Sequence, residues 1–269
     1  MRIRIVDAFT DRPFSGNPAG VVLLGSEGFP ADSWLQQVAA EVNLSETAFA
    51  HPLPPGRDAD WALRWFTPRT EVDICGHATL ATAHVLNASG TVRFTTRGGI
   101  LTATTEPDGT ITLDFPTSSL TPVDVPAGLA EALGAQPVAV HDTSAAMGDL
   151  VVELADEKTV RELTPDLAAL AAAPLSARGV IATALADDPD GAHQFVSRCF
   201  FPAIGIDEDP VTGSAHTALA PYWSARLHRD DLTGRQGGAR TGLVRTRLHG
   251  DRTLLTGRAV TVIDGELHG

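Results

Sequence analysis

Four side chains in this 269-residue chain have the types and settings that proton chemistry needs: Glu46, His77, Asp209 and Ser214. Glu46 stands in Asn43-Leu44-Ser45-Glu46-Thr47, a polar break between a helical pattern and an apolar strand. Partly desolvated there, a carboxylate rises toward a useful acid–base range; a solvated loop glutamate bonded by Ser45 and Thr47 fits the local residues at least as well. His77 follows Gly76 at a helix start, where it can polarise a substrate group or pair with a carboxylate, or serve only as a capping or core histidine. Asp209 precedes a proline in Glu208-Asp209-Pro210, the setting of a functional carboxylate or of an ordinary acidic turn. Ser214 follows Gly213, and either donates a hydrogen bond or caps the helix.

These residues belong to a motif that occurs twice. Residues 64–81 run Arg-Trp-Phe-Thr-Pro, then an acidic stretch, then Cys75-Gly76-His77-Ala78. Residues 198–220 run Arg-Cys-Phe-Phe-Pro, then an acidic stretch, then Thr212-Gly213-Ser214-Ala215-His216. The copies stand about half the chain apart, so we expect two similar lobes, 1–116 and 117–269, with the last strand returning to the first, and a site where the copies meet. Helix starts carry unpaired N–H groups and partial positive charge, and glycine admits a ligand to the backbone. Gly76 and Gly213 are therefore candidate carboxylate-binding positions.

Cys75 sits just before a glycine-entered helix, where thiol acidity rises. Two-thiol racemisation needs a second cysteine at the matching place, which this reading assigns to Pro210 or Val211. Cys199 is in a strand, eleven residues before Pro210. We therefore expect Cys75 to be a buried structural residue.

Elements expected to position these groups are strands over 2–8, 21–24, 61–66, 91–96, 100–105 and 110–115, with helices over 31–42 and 76–87. The second half reads as strands near 136–141, 149–154, 179–185 and 193–200, helices over 159–172 and 213–227, and strands near 242–248 and 253–263. Residues 116–126 read as a linker and 234–242 as a loop. Strand-rich halves with a helix at each Gly-X-Ala give an α+β class: two pseudo-symmetric lobes, each a curved, mostly antiparallel sheet around a central helix.

Net charge of −13 disfavours nucleic acid. Lys158 is the only lysine, so the positive charge is nearly all arginine. No apolar run approaches a membrane span, and the alternating 1–6 segment reads as a strand and not a signal peptide. Two cysteines make no disulfide framework, and a reduced cytoplasmic protein is expected. The nine histidines show no metal spacing, and no phosphate loop, dinucleotide fingerprint or serine elbow is present, so no metal or cofactor is expected.

Four segments in order, Phe14-Ser15-Gly16-Asn17-Pro18-Ala19-Gly20-Val21, Asn43-Leu44-Ser45-Glu46-Thr47, Cys75-Gly76-His77-Ala78-Thr79 and Glu208-Asp209-Pro210-Val211-Thr212-Gly213-Ser214-Ala215, resemble the phenazine biosynthesis PhzF-like family. The resemblance covers residues 3 to about 263 and implies a diaminopimelate epimerase-like fold. It implies a cofactor-free isomerase of a small carboxylated metabolite, with Glu46 shuttling a proton and His77, Asp209 and Ser214 around it. Gly76 and Gly213 would supply backbone donors, and a homodimer is implied. The alternatives are an amino-acid or hydroxy-acid epimerase, racemase or dehydratase in the same cleft, and a non-catalytic binding protein on the same fold.

Overall fold

A computed structural model describes every residue except 144–147, 174, 176 and 269. In chain order the elements begin with β1 (Arg2–Ala8), β2 (Asn17–Leu23), α1 (Asp32–Val42), β3 (Glu46–Pro52), β4 (Trp61–Phe66) and β5 (Glu71–Val72). Then come α2 (Gly76–Leu86), β6 (Gly90–Thr96), β7 (Gly99–Thr105), β8 (Ile111–Pro116), β9 (Thr121–Val123), α3 (Leu129–Leu133), β10 (Ala139–Asp142) and β11 (Asp149–Glu153). Next are α4 (Glu157–Arg161), α5 (Leu167–Ala172), β12 (Gly179–Leu185), β13 (Phe195–Phe201) and β14 (Ile206–Asp209). The chain closes with α6 (Gly213–Leu227), β15 (Asp231–Gln236), β16 (Gly242–His249), β17 (Arg252–Gly257) and β18 (Ala259–Glu266). The class is α+β. Contacts divide the chain into Met1–Phe115 with Thr256–Gly269, and Pro116–Leu255.

In the first unit β1 pairs antiparallel with β18 and β2, and β2 pairs parallel with β3. Strand β4 then pairs antiparallel with β3 and β5 and parallel with β6, which continues antiparallel through β7 to β8. The parallel pairs require crossovers, and α1 and α2 supply them. Helix α2 is buried at every position from Gly76 to Ala83, so it is a core element without a polar face. Its hydroxyls survive burial by donating back along the helix, Thr79 to Cys75 O at 2.5 Å and Thr82 to Ala78 O at 2.7 Å.

The second unit repeats this order with different strands. Strand β10 pairs antiparallel with β9 and β11, and β11 pairs parallel with β12. Strand β13 pairs antiparallel with β12 and β14 and parallel with β15, which runs antiparallel to β16. Helix α6 takes the place of α2, and is buried over most of its length. It contains Pro221, which cannot donate to Thr217 O. The Ser118 amide donates to that oxygen at 3.2 Å, and the proline is accommodated.

Several expected boundaries move, each for a local reason. The helix expected over 159–172 is two, α4 and α5. Pro165 interrupts it, and Asp156 and Asp166 each cap a new start, accepting from Thr159 N at 2.7 Å and Ala169 N at 2.9 Å. The linker at 116–126 contains β9, and the loop at 234–242 begins inside β15. Gly234 reads as a loop residue in sequence, but a Cβ there would meet the Phe195 ring at 2.3 Å, so the strand needs a glycine. The strand expected at 253–263 breaks at Arg258 into β17 and β18, and α3 was not anticipated.

Candidate active site

Glu46 does not lie in a loop: it is the first residue of β3, placed opposite Ala19 of β2. Asn43 ends α1 in a left-handed conformation, its N–H held by Ala39 O at 3.0 Å, and the chain turns through Ser45 into the strand. Ser45 Oγ donates to Asn17 Oδ1 at 3.4 Å. Asn17 is fully buried, and the preceding Gly16 has φ +63° with Ala8 O only 2.1 Å from where a Cβ would sit. Only glycine makes that turn, and it delivers the Asn17 amide into the core.

The amide meets His77. Asn17 Nδ2 lies 3.2 Å from His77 Nδ1, and the Ser45 contact to Asn17 Oδ1 orients the amide so that Nδ2 is the donor. Nδ1 therefore accepts, and the ring proton sits on Nε2. Cys75 Sγ is 3.5 Å from the same Nδ1. Nε2 is buried and has no hydrogen-bond partner among the described residues; Glu46 Oε2 lies 3.3 Å away, outside hydrogen-bond alignment. Burial pushes the imidazole pKa down to about 3, so the ring is neutral at physiological pH. The result is a carboxylate facing a neutral N–H donor whose capacity is unused among the described residues.

Glu46, Cys75 and His77 also offer one oxygen, one sulfur and one nitrogen within 4.8 Å of one another. With Nδ1 accepting from Asn17 and the proton on Nε2, however, the imidazole has no free lone pair to offer a cation. Histidine spacing does not show this grouping, because the three residues come from a strand, a cap and a helix.

In the second unit Asp209 closes β14, opposite Cys199 of β13. Asp209 Oδ2 accepts from Thr212 Oγ1 at 2.6 Å. The fully buried Gln236 ties the turn together: Nε2 donates to Asp209 O and Thr212 Oγ1, and Oε1 accepts from Thr212 N, each at 2.9 Å. Gly213 and Ser214 are the first two residues of α6, and Ser214 is half-buried. His216 Nδ1 donates to Thr212 O at 2.9 Å, and burial lowers its pKa to about 4. Burial also raises the Cys199 thiol well above its usual range, which leaves it a poor nucleophile.

Helix caps correct one expected match. Cys75 caps α2 and Thr212 caps α6, so the second copy carries a hydroxyl where the first carries the thiol, and Pro210 and Val211 lie farther upstream. Cys75 is buried as expected, but it touches His77. Asn17, Ser45 and Gln236 had no role assigned from sequence; Asn17 and Ser45 lie inside the quoted motifs, while nothing local marks Gln236.

The family model for phenazine biosynthesis-like proteins (PhzC-PhzF) matches residues 6–265. A relative from Pseudomonas aeruginosa, described as an uncharacterized isomerase, is 47% identical over 98% of this chain and 97% of its own. The crystal structure of a PhzF family protein from Enterococcus faecalis superposes with TM-score 0.89 at 40% identity, covering 99% of this chain and 98% of that one. A hydroxyproline epimerase from Agrobacterium vitis shares the fold, with TM-score 0.61 at 15% identity over 98% and 91% of the two chains.

Proposed function

The chain belongs to the phenazine biosynthesis-like family, and on that premise we propose that it is a cofactor-independent isomerase of a small carboxylated metabolite. The observation that carries this reading is Glu46 Oε2 standing 3.3 Å from the Nε2 of a neutral, buried His77. Glu46 takes a proton from an activated carbon, becomes a carboxylic acid, and returns the proton to a second carbon of the same substrate. No net proton or electron enters or leaves. His77 Nε2–H faces Glu46 at 3.3 Å, and on alignment it donates to the Glu46 carboxylate or to an oxygen on which charge develops. Asn17 is a positioning residue, because it keeps the proton on Nε2. Asp209 and Ser214 complete the proposed catalytic set, and the helix starts at Gly76 and Gly213 are its proposed carboxylate donors. The homodimer rests on the family resemblance and is checked by light scattering.

The test uses a panel of small cyclic and open-chain carboxylic acids in deuterated water, read by NMR for solvent deuterium at carbon. Glu46→Gln should lower exchange and turnover by about a thousandfold or more while the melting temperature holds. Full activity in that variant contradicts the reading. Epimerisation of an amino or hydroxy acid is the second reading, favoured by Cys75 Sγ beside His77. It ranks lower because Thr212, not a second thiol, caps α6. Under it, Cys75→Ser should abolish exchange at an α-carbon; under the isomerase reading the thiol is dispensable.

A further inference from the structure

The second unit contains a cavity of about 610 Å³ whose walls include Lys158, Arg161, Arg198, Arg235 and the Gly237-Gly238 turn. That size suits a small metabolite. Its charge runs against the molecule: the chain carries 33 acidic residues against 20 lysines and arginines, yet the cavity gathers four cations, the only lysine among them, with Glu162 the single carboxylate in the lining.

The four cations are not equivalent. Arg198 is committed, with its Nε and Nη2 donating to Glu208 at 2.8 Å each and its Nη1 to Leu163 O at 2.6 Å. Arg161 leans on Glu157 at 3.6 Å and is largely exposed. Lys158 and Arg235 form no ion pair among the described residues. Arg235 pairs with Val196 of β13, which puts both side chains on the cavity face of the sheet, while Ser197 and Gln236 stand on the α6 face. Gly237 has φ +109°, and a Cβ there would fall 2.0 Å from Arg240 O, so the turn that shapes this wall requires glycine.

We propose that this cavity binds a small phosphate-bearing anion, held by Lys158 and Arg235. Compact, multiply charged oxyanions suit two cations that form no ion pair among the described residues. The first unit has no such balance at its matching arginine: Arg64 is shared between Glu71 and Asp32. Occupancy is transmitted to the candidate site through Gln236, which lies between Arg235 and Gly237 and whose side chain holds Asp209 and Thr212.

Calorimetric titration of the full chain with inorganic phosphate tests the site. One equivalent should bind saturably below about 10 mM, with Arg235→Gln and Lys158→Gln each weakening it about tenfold at unchanged melting temperature. Glycerol phosphate should bind at least as well, and malonate more weakly; malonate binding as tightly as phosphate overturns the phosphate class. Failure to saturate, or wild-type affinity in both charge variants, overturns the site. Slower hydrogen exchange of the Thr212 amide on saturation supports the link to Asp209, and an unchanged rate overturns that link. Glu46→Gln should bind phosphate as the wild type does, so this proposal and the isomerase reading fail separately.

Discussion

The two glycine-entered helices are built alike and equipped differently. Each starts from an extended cap, Cys75 or Thr212, and runs glycine, polar residue, alanine. Three residues after the glycine, each returns a side-chain hydrogen bond to the cap carbonyl: Thr79 Oγ1 to Cys75 O in α2, His216 Nδ1 to Thr212 O in α6. Each preceding strand carries an arginine clamped by two oxygens of one carboxylate, Arg64 on Glu71 and Arg198 on Glu208. These shared contacts are scaffold. The differences carry the chemistry. Strand pairing matches Glu46, opposite Ala19, with Gly179, opposite Asp149. Any side chain at Gly179 would run into Phe201, whose Cδ1 lies 2.1 Å from the ideal Cβ, and into Phe200 O at 2.5 Å. The second unit therefore has no room for the carboxylate on which the first unit's proposed proton transfer depends.

That contrast can be broken by substitution. Gly179→Ala should destabilise the protein by about 3 kcal/mol in urea unfolding, because neither the ring nor the carbonyl can yield cheaply. Glu46→Ala at the matching position should cost within about 1 kcal/mol. Equal costs would dissolve the distinction between packing and chemistry at this position.

Acid acts on both units, with a smaller effect at each histidine. Histidines held neutral by burial have folded pKa values of about 3 for His77 and about 4 for His216, both depressed below the unfolded value. As pH falls below the unfolded pKa of about 6.5, only the unfolded chain gains these protons, so stability is present above that pH and is lost below it. Each histidine should cost about 2 kcal/mol between pH 7 and pH 5. His216→Thr, which copies Thr79 and keeps a donor to the cap carbonyl, should remove about half of this acid sensitivity while leaving the His77 share. An unchanged slope would mean that His216 titrates normally.

A smaller effect is expected at Asn17. Asn17→Ala removes one neutral hydrogen bond to His77 and should lower turnover about tenfold. Asn17→Asp offers only acceptors and should move the ring proton to Nδ1, turning an imine nitrogen toward the Glu46 carboxylate. Activity retained in both variants would remove Asn17 from the account.

Much of this was legible in sequence where a local signal was strong. The doubled Gly-X-Ala pattern marked the starts of α2 and α6, and alternation marked β1 and β4. What stayed hidden depends on distant partners. Ser45-Glu46-Thr47 is polar enough to read as a loop, yet Glu46 and Thr47 become strand because Ala19 and Gly20 pair with them. Asn17 and His77 are sixty residues apart, and their contact follows from a turn that only Gly16 can make. Gln236 sits among glycines that suggest a loop, yet it is the buried bracket of the Asp209 turn. Likewise, the matching of Cys75 to Thr212 had to come from cap positions, because the acidic stretches between the repeats differ in length.

The most direct measurement of the difference between the two copies is a nitrogen-15 spectrum of the imidazoles, which needs no substrate. At pH 6 the two rings should hold opposite neutral tautomers: His77 protonated on Nε2, with Nδ1 accepting from Asn17, and His216 protonated on Nδ1, donating to Thr212 O. A doubly protonated His77, or the same tautomer in both rings, would contradict it.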